Sequence, residues 1–103
     1  EPGQFERNMT AIVRRLKEET SGDILLMTSV ALADPRENAR AEIFYGVISD
    51  LAAREQLPCA LVHAYWQQRI AAGSRWDELV QSDGVHPTEE GYRTMAEAIM
   101  RVL

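Results

Sequence analysis

Only two histidines occur in the chain, His63 and His86, so imidazole chemistry has two places to be. His86 is the better placed. It stands in Asp83-Gly84-Val85-His86-Pro87-Thr88, a polar turn directly ahead of a strong helix start. Gly84 permits a sharp turn, and Pro87 restricts the backbone just after the histidine. An aspartate three residues before a histidine, across such a turn, reaches the ring Nδ1–H. That bond would hold one tautomer, leave Nε2 free as a general base toward a hydroxyl, and stabilise the imidazolium formed on proton transfer. By spacing alone, Asp-x-x-His before a helix also reads as a turn with a local hydrogen bond.

A nucleophile for that base is harder to find. Ser21, Ser29, Ser49, Ser74 and Ser82 each read as turn, cap or surface residues. Ser82 adjoins Asp83 and points poorly for attack by way of His86. Cys59 reads as a small buried hydrophobe in a strand, where a thiol is inert. His63 ends a strand and reads as a boundary or core histidine. No His/Cys/Asp cluster has metal-ligand spacing, so no metal or cofactor is expected. No glycine-rich phosphate loop is present, which counts against a nucleotide-binding domain. Trp66 and Trp76 flank a loop-rich stretch before the Asp83 turn. They read as helix-packing residues, with an acyl or sugar site as the alternative.

The elements that must position this turn follow from hydrophobic periodicity. Phe5, Met9, Ile12, Val13 and Leu16 form one apolar helical stripe, closed at Thr20-Ser21-Gly22-Asp23 with Gly22 available for a left-handed cap. Ile24-Leu25-Leu26-Met27 is a continuous apolar run suited to a buried parallel strand. Ala33-Asp34-Pro35-Arg36 reads as loop. A second helix is expected over residues 38–56, with Ile43, Phe44, Val47, Ile48 and Leu51 inward. Cys59-Ala60-Leu61-Val62 reads as a second strand. Short helices are expected over 64–72 and 76–80, and a loop over 82–87. The last helix is capped by Thr88, has Glu89 and Glu90 in its first turn, and carries Tyr92, Met95, Ala96, Ile99 and Val102 as its inner stripe.

Composition places this pattern in a globular chain. The 103 residues are 46% hydrophobic and 26% charged, enough for at most one modest core. The net charge of −5 argues against nucleic acid and anionic membrane surfaces as partners. No apolar run approaches a membrane span of ~18 residues. The chain opens Glu1-Pro2-Gly3 rather than with methionine, and further sequence is expected upstream.

The segment Asp83-Gly84-Val85-His86-Pro87-Thr88-Glu89-Glu90-Gly91-Tyr92, followed by an Ala-rich apolar helix, resembles the last conserved block of SGNH/GDSL-type serine esterases and lipases. That block reads Asp-Gly-x-His-Pro, a small polar residue, then soon Gly-Tyr. The Phe5-to-Leu16 helix and the strands at Ile24–Thr28 and after Leu57-Pro58 are consistent with the same family. The resemblance implies Asp83 and His86 as catalytic residues and an ester-hydrolysing activity. It implies a small acyl-ester or acetylated-carbohydrate substrate and no cofactor. The implied fold is α/β: the C-terminal part of a three-layer, flavodoxin-like doubly wound parallel sheet. The family's Gly-Asp-Ser and Gly-x-Asn segments are absent. Asn8 lies inside a helix, and Asn38 reads as a helix start. The nucleophile, the oxyanion donors and the first strands are therefore expected upstream or in another chain. The alternative is a non-catalytic α/β binding module, a truncated or degenerate relative.

Overall fold

A computed structural model describes residues 1–103. In chain order the elements are α1 (Pro2–Glu19), β1 (Leu26–Met27), α2 (Pro35–Arg54), β2 (Cys59–Ala60), α3 (Val62–Ala71), α4 (Trp76–Leu79) and α5 (Glu89–Met100). β1 and β2 pair in parallel, Leu26 opposite Cys59 and Met27 opposite Ala60, with α2 as the crossover. Helices lie on both faces. On one, Val13, Leu26, Ile48, Leu51 and Ala52 pack together, with Phe5, Met9 and Cys59 against them. On the other, Ala60, Val62, Trp66, Leu79, Val80 and Ala98 form the core with Val30 and Ala31. Alternation along the strands explains the split: Leu26 and Cys59 face the α1–α2 side, and Ala60 faces α3–α5.

The α/β reading therefore holds, with differences at the element ends. α2 begins at Pro35, not Asn38. Asp34 caps it, accepting from the N–H groups of Arg36 and Glu37 at 2.9 and 3.0 Å, and Pro35 takes the first helical position, where its missing N–H is not needed. Asn38 lies inside the helix, and its Oδ1 accepts from Leu32 N–H. At the other end Gln56 takes the left-handed conformation (φ 57°). Leu57 N–H then donates to Ala52 O and Gln56 N–H to Ala53 O, which closes the helix as a Schellman motif without a glycine. Gly22 is not left-handed; α1 ends instead at an extended Thr20, whose hydroxyl donates to Leu16 O. β2 is shorter than expected because Val62 already begins α3.

Three expected inner stripes are only partly inward: in α2, Ile43 is 57% exposed. In α5 the buried residues are Gly91, Thr94 and Ala98, with Met95 and Ile99 half-buried against the core, whereas Tyr92 is 56% exposed. In α1 only Val13 is buried, and Ile12 and Leu16 are exposed. Of the two apolar runs expected to be buried strands, Met27 in β1 and Leu61 just past β2 are each 41% exposed. β1 uses Leu26 and Thr28 N–H to bond Pro58 and Ala60. In a parallel ladder the intervening Met27 turns its own backbone groups to the opposite edge. The two-stranded sheet has no third strand to meet that edge.

The α3–α5 half carries the Asp83 turn, so its cohesion matters most. Trp66 is fully buried, a contact worth about 3–5 kcal/mol on truncation. Its Nε1–H has no partner. Around it, Glu97 accepts from Tyr65 Oη at 2.5 Å and Arg69 at 3.0 Å, and the Arg101 guanidinium covers the Tyr65 ring. Such partly exposed pairs contribute at most about 1 kcal/mol each. Packing of Trp66, Leu79 and Ala98 therefore holds α3, α4 and α5 together, and the ion pairs only trim their alignment. No helix is long and apolar enough to cross a membrane.

Candidate active site

The loop between α4 and α5 is built from main-chain bonds. Val80 and Pro87 form an isolated antiparallel bridge at its base. Thr88 N–H donates to Leu79 O at 2.9 Å, and Gln81 N–H to His86 O at 2.8 Å. At the tip Gly84 adopts φ +76°, the left-handed region that favours glycine, and its N–H donates to Gln81 O. Thr88 performs the expected capping, accepting from Gly91 N–H at 3.1 Å while its hydroxyl donates to Glu78 O at 2.5 Å.

Asp83 organises the interior of this loop. Its Oδ1 accepts from Val85 N–H at 2.9 Å and His86 N–H at 3.0 Å. Its Oδ2 lies 2.5 Å from His86 Nδ1. The two backbone amides, then the His86 side chain, hold the Asp83 carboxyl down to about 2. An ionised carboxylate only accepts, so Nδ1 carries the proton and donates, and Nε2 is left with a free lone pair. The sequence-predicted pair is thus brought together. No cleft faces Nε2. The His86 side chain is 68% exposed, and neither residue lines a groove. Ala33, Trp76, Val80, Gln81, Ser82 and Gly84 line one beside the turn, but nothing in residues 1–103 walls off His86.

A pH consequence follows. The folded loop lowers the Asp83 pKa from 3.8 to about 2. The ionised form therefore stabilises the loop fully above 3.8, and that contribution fades as pH falls toward 2. A ¹³C titration of the Asp83 carboxyl in the folded protein is expected to show a midpoint near 2. A midpoint near 3.8 would mean that the Val85 and His86 amides do not hold the carboxylate in solution.

The other residues singled out from the sequence lie elsewhere. His63 is in the first turn of α3, its Nδ1 3.0 Å from the buried Thr28 hydroxyl and its ring against Tyr45. Burial lowers its pKa, opposed by Glu42; it is a boundary histidine away from the turn. Cys59 is half-buried, and burial pushes its thiol up. No group of three His, Cys, Asp or Glu side chains could hold a metal ion. Trp66 is a core residue, as expected. Sequence reasoning missed Gln81, whose side chain also bonds the loop, and the close packing of Gly91 under it.

No family model matches the sequence, and no curated protein matches it. Solved structures do, and they define the class of fold. The chain superposes on an alpha/beta hydrolase enzyme from the metagenome of Lake Arreo, Spain, with a TM-score of 0.83 and 20% identity, covering 98% of this chain and 46% of that one. An acetylxylan esterase from Geobacillus stearothermophilus gives 0.83 at 20% identity, again covering 98% and 46%. A lipase/acylhydrolase from Enterococcus faecalis gives 0.75 at 20% identity, covering 98% and 50%. The chain thus has the fold of about half of these hydrolases and spans about half their length. Solved catalytic mutants of the acetylxylan esterase replace a serine, an aspartate and a histidine by alanine, the last two lying three residues apart in that protein.

Proposed function

We propose that this chain supplies the Asp-His pair of an SGNH/GDSL-type serine ester hydrolase. The observation that carries the reading is the His86 Nδ1–Asp83 Oδ2 contact of 2.5 Å across the Gly84 turn, in a chain folded like half of an esterase. In the proposed reaction Nε2 of His86 takes the proton of a serine hydroxyl as its oxygen attacks the ester carbonyl. Asp83 stabilises the imidazolium. His86 then returns the proton to the departing alkoxide, leaving an acyl-serine that water cleaves by the same route. The catalytic mutants of the acetylxylan esterase, with the same Asp-to-His spacing, support these roles and favour an acetylated carbohydrate or another small acyl ester as substrate.

The serine, the oxyanion donors and the remaining strands belong, in this reading, to a segment upstream in the same protein or in a partner chain. That segment pairs with the free edge of β1 and covers Met27, Leu61, Ile12 and Leu16. At ~25 cal/mol per Å², an uncovered apolar stripe forfeits several kcal/mol, comparable with the whole stability of a domain. Residues 1–103 expressed alone are expected to self-associate or melt without cooperativity, and to leave a short-chain chromogenic ester intact. The protein with its upstream segment is expected to hydrolyse it. A monomeric fragment with a sharp thermal transition would refute the structural part. A full-length protein lacking a serine opposite His86, and inert toward esters, would instead favour the binding-module reading.

A further inference from the structure

We infer that Gln81 is a positioning residue for His86, its side-chain amide locking the neck of the loop that carries the Asp83–His86 pair. The inference rests on the proton-transfer reading of that pair. Gln81 touches the loop at three points. Its N–H donates to His86 O at 2.8 Å, its carbonyl accepts from Gly84 N–H at 2.9 Å, and its Nε2 donates to Pro87 O at 2.9 Å. Any residue except proline can make the first two bonds. The third requires a side-chain donor of glutamine's reach. The Pro87 carbonyl offers only lone pairs, so the nitrogen end of the amide faces it.

The arrangement matters because of what the other bonds leave undone. The Asp83–His86 contact, and both Asp83 bonds to backbone N–H, lie wholly inside the loop. They fix the imidazole relative to Asp83 but not relative to the core, where the serine must approach. The aim of the pair as a unit is set at the neck, where the chain leaves the buried Val80 and returns through Pro87. There the Gln81 amide ties the outgoing strand to the incoming one, beside the Val80–Pro87 bridge. Proton transfer is sensitive to such aim: a displacement of ~1 Å costs roughly a hundredfold in rate.

The test uses the full-length protein and an acetyl ester. Three variants are compared with His86→Ala. Gln81→Met keeps length and volume without a donor. Gln81→Glu keeps the shape but sets an acceptor against the Pro87 carbonyl. Gln81→Lys restores a donor. The Met and Glu variants are expected to lose roughly tenfold or more in kcat with KM within about twofold, because a misaimed base costs rate and not substrate affinity. The Lys variant is expected to recover part of the loss. The far-downfield proton resonance of His86 Nδ1–H should persist in Gln81→Met, since its bond to Asp83 lies inside the loop. A purely structural role would instead lower the melting temperature and erase that resonance. Wild-type kcat in Gln81→Met and Gln81→Glu, beside an inactive His86→Ala protein, would overturn the inference while leaving the Asp-His reading standing. An active His86→Ala protein would overturn both.

Discussion

Replacing His86 with alanine in the full-length protein is expected to lower kcat for an acetyl ester by roughly four orders of magnitude or more, with the fold unchanged. The fold is spared because the imidazole is mostly exposed and belongs to neither core cluster. The backbone N–H of residue 86 keeps its bond to Asp83. Asp83→Asn is the sharper experiment. The asparagine still offers an oxygen to the Val85 and His86 amides, so the turn survives. Its nitrogen, however, now faces Nδ1 as a donor, which drives the ring proton to Nε2 and removes the base. Circular dichroism should match the parent for both variants while turnover collapses; the melting temperature should hold for His86→Ala and fall modestly for Asp83→Asn, which gives up the ionised form's hold on the loop. Near-parental turnover of the ester by His86→Ala would sink the assignment of the base.

The second large effect is expected at Gly91, where the requirement is space rather than backbone freedom. An added Cβ would lie 2.1 Å from Leu79 O, 2.9 Å from Trp66 Cη2 and 3.0 Å from Pro87 Cβ. Two of those neighbours cannot yield cheaply. Leu79 O already accepts from Thr88 N–H at the base of the loop, and Trp66 is wholly enclosed. Gly91→Ala is therefore expected to destabilise the protein by roughly 3 kcal/mol or more. Any folded remainder should be poorly active, because α5 must move away from Pro87. Gly46→Ala in α2 is the internal control. A Cβ there meets nothing within 4 Å, so the change should be neutral or stabilising by up to about 1 kcal/mol. Urea unfolding of both variants checks the contrast; equal midpoints would show that α5 is not packed as described.

Much of this was legible in the sequence because it rests on local rules. Thr88 before Glu89 and Glu90 reads as a cap from residue chemistry alone. The Asp83-to-His86 turn follows from a glycine, a proline and a three-residue spacing. The element order emerged from periodicity. What escaped depended on contacts distant in sequence or on backbone details. The inner face of α5 is Gly91, Thr94 and Ala98, a stripe of small residues chosen by the closeness of Trp66 and Leu79, while hydropathy pointed to Tyr92 and Val102. The α2 terminus used a left-handed Gln56 where pattern reading looks for glycine. Asn38 resembled a cap because asparagine is a favoured capping residue; its side chain does bond a backbone N–H, but that of Leu32, six residues back. Gln81 carried no signal, since a lone exposed glutamine is ordinary. Only the return of the chain at Pro87 gives its amide a partner.

The way the turn is held also bears on how such a site diverges. Its shape depends on main-chain bonds at Leu79, Gln81, Gly84 and Thr88, and on the carboxylate of Asp83. Val85 takes part through its backbone N–H alone, and Ser82 and Val85 are both exposed. Mutational drift at these two positions leaves the scaffold of the turn untouched. Both precede His86 in the same loop, so a change of side chain at either one alters what surrounds the exposed imidazole while the Asp83–His86 contact stays as it is.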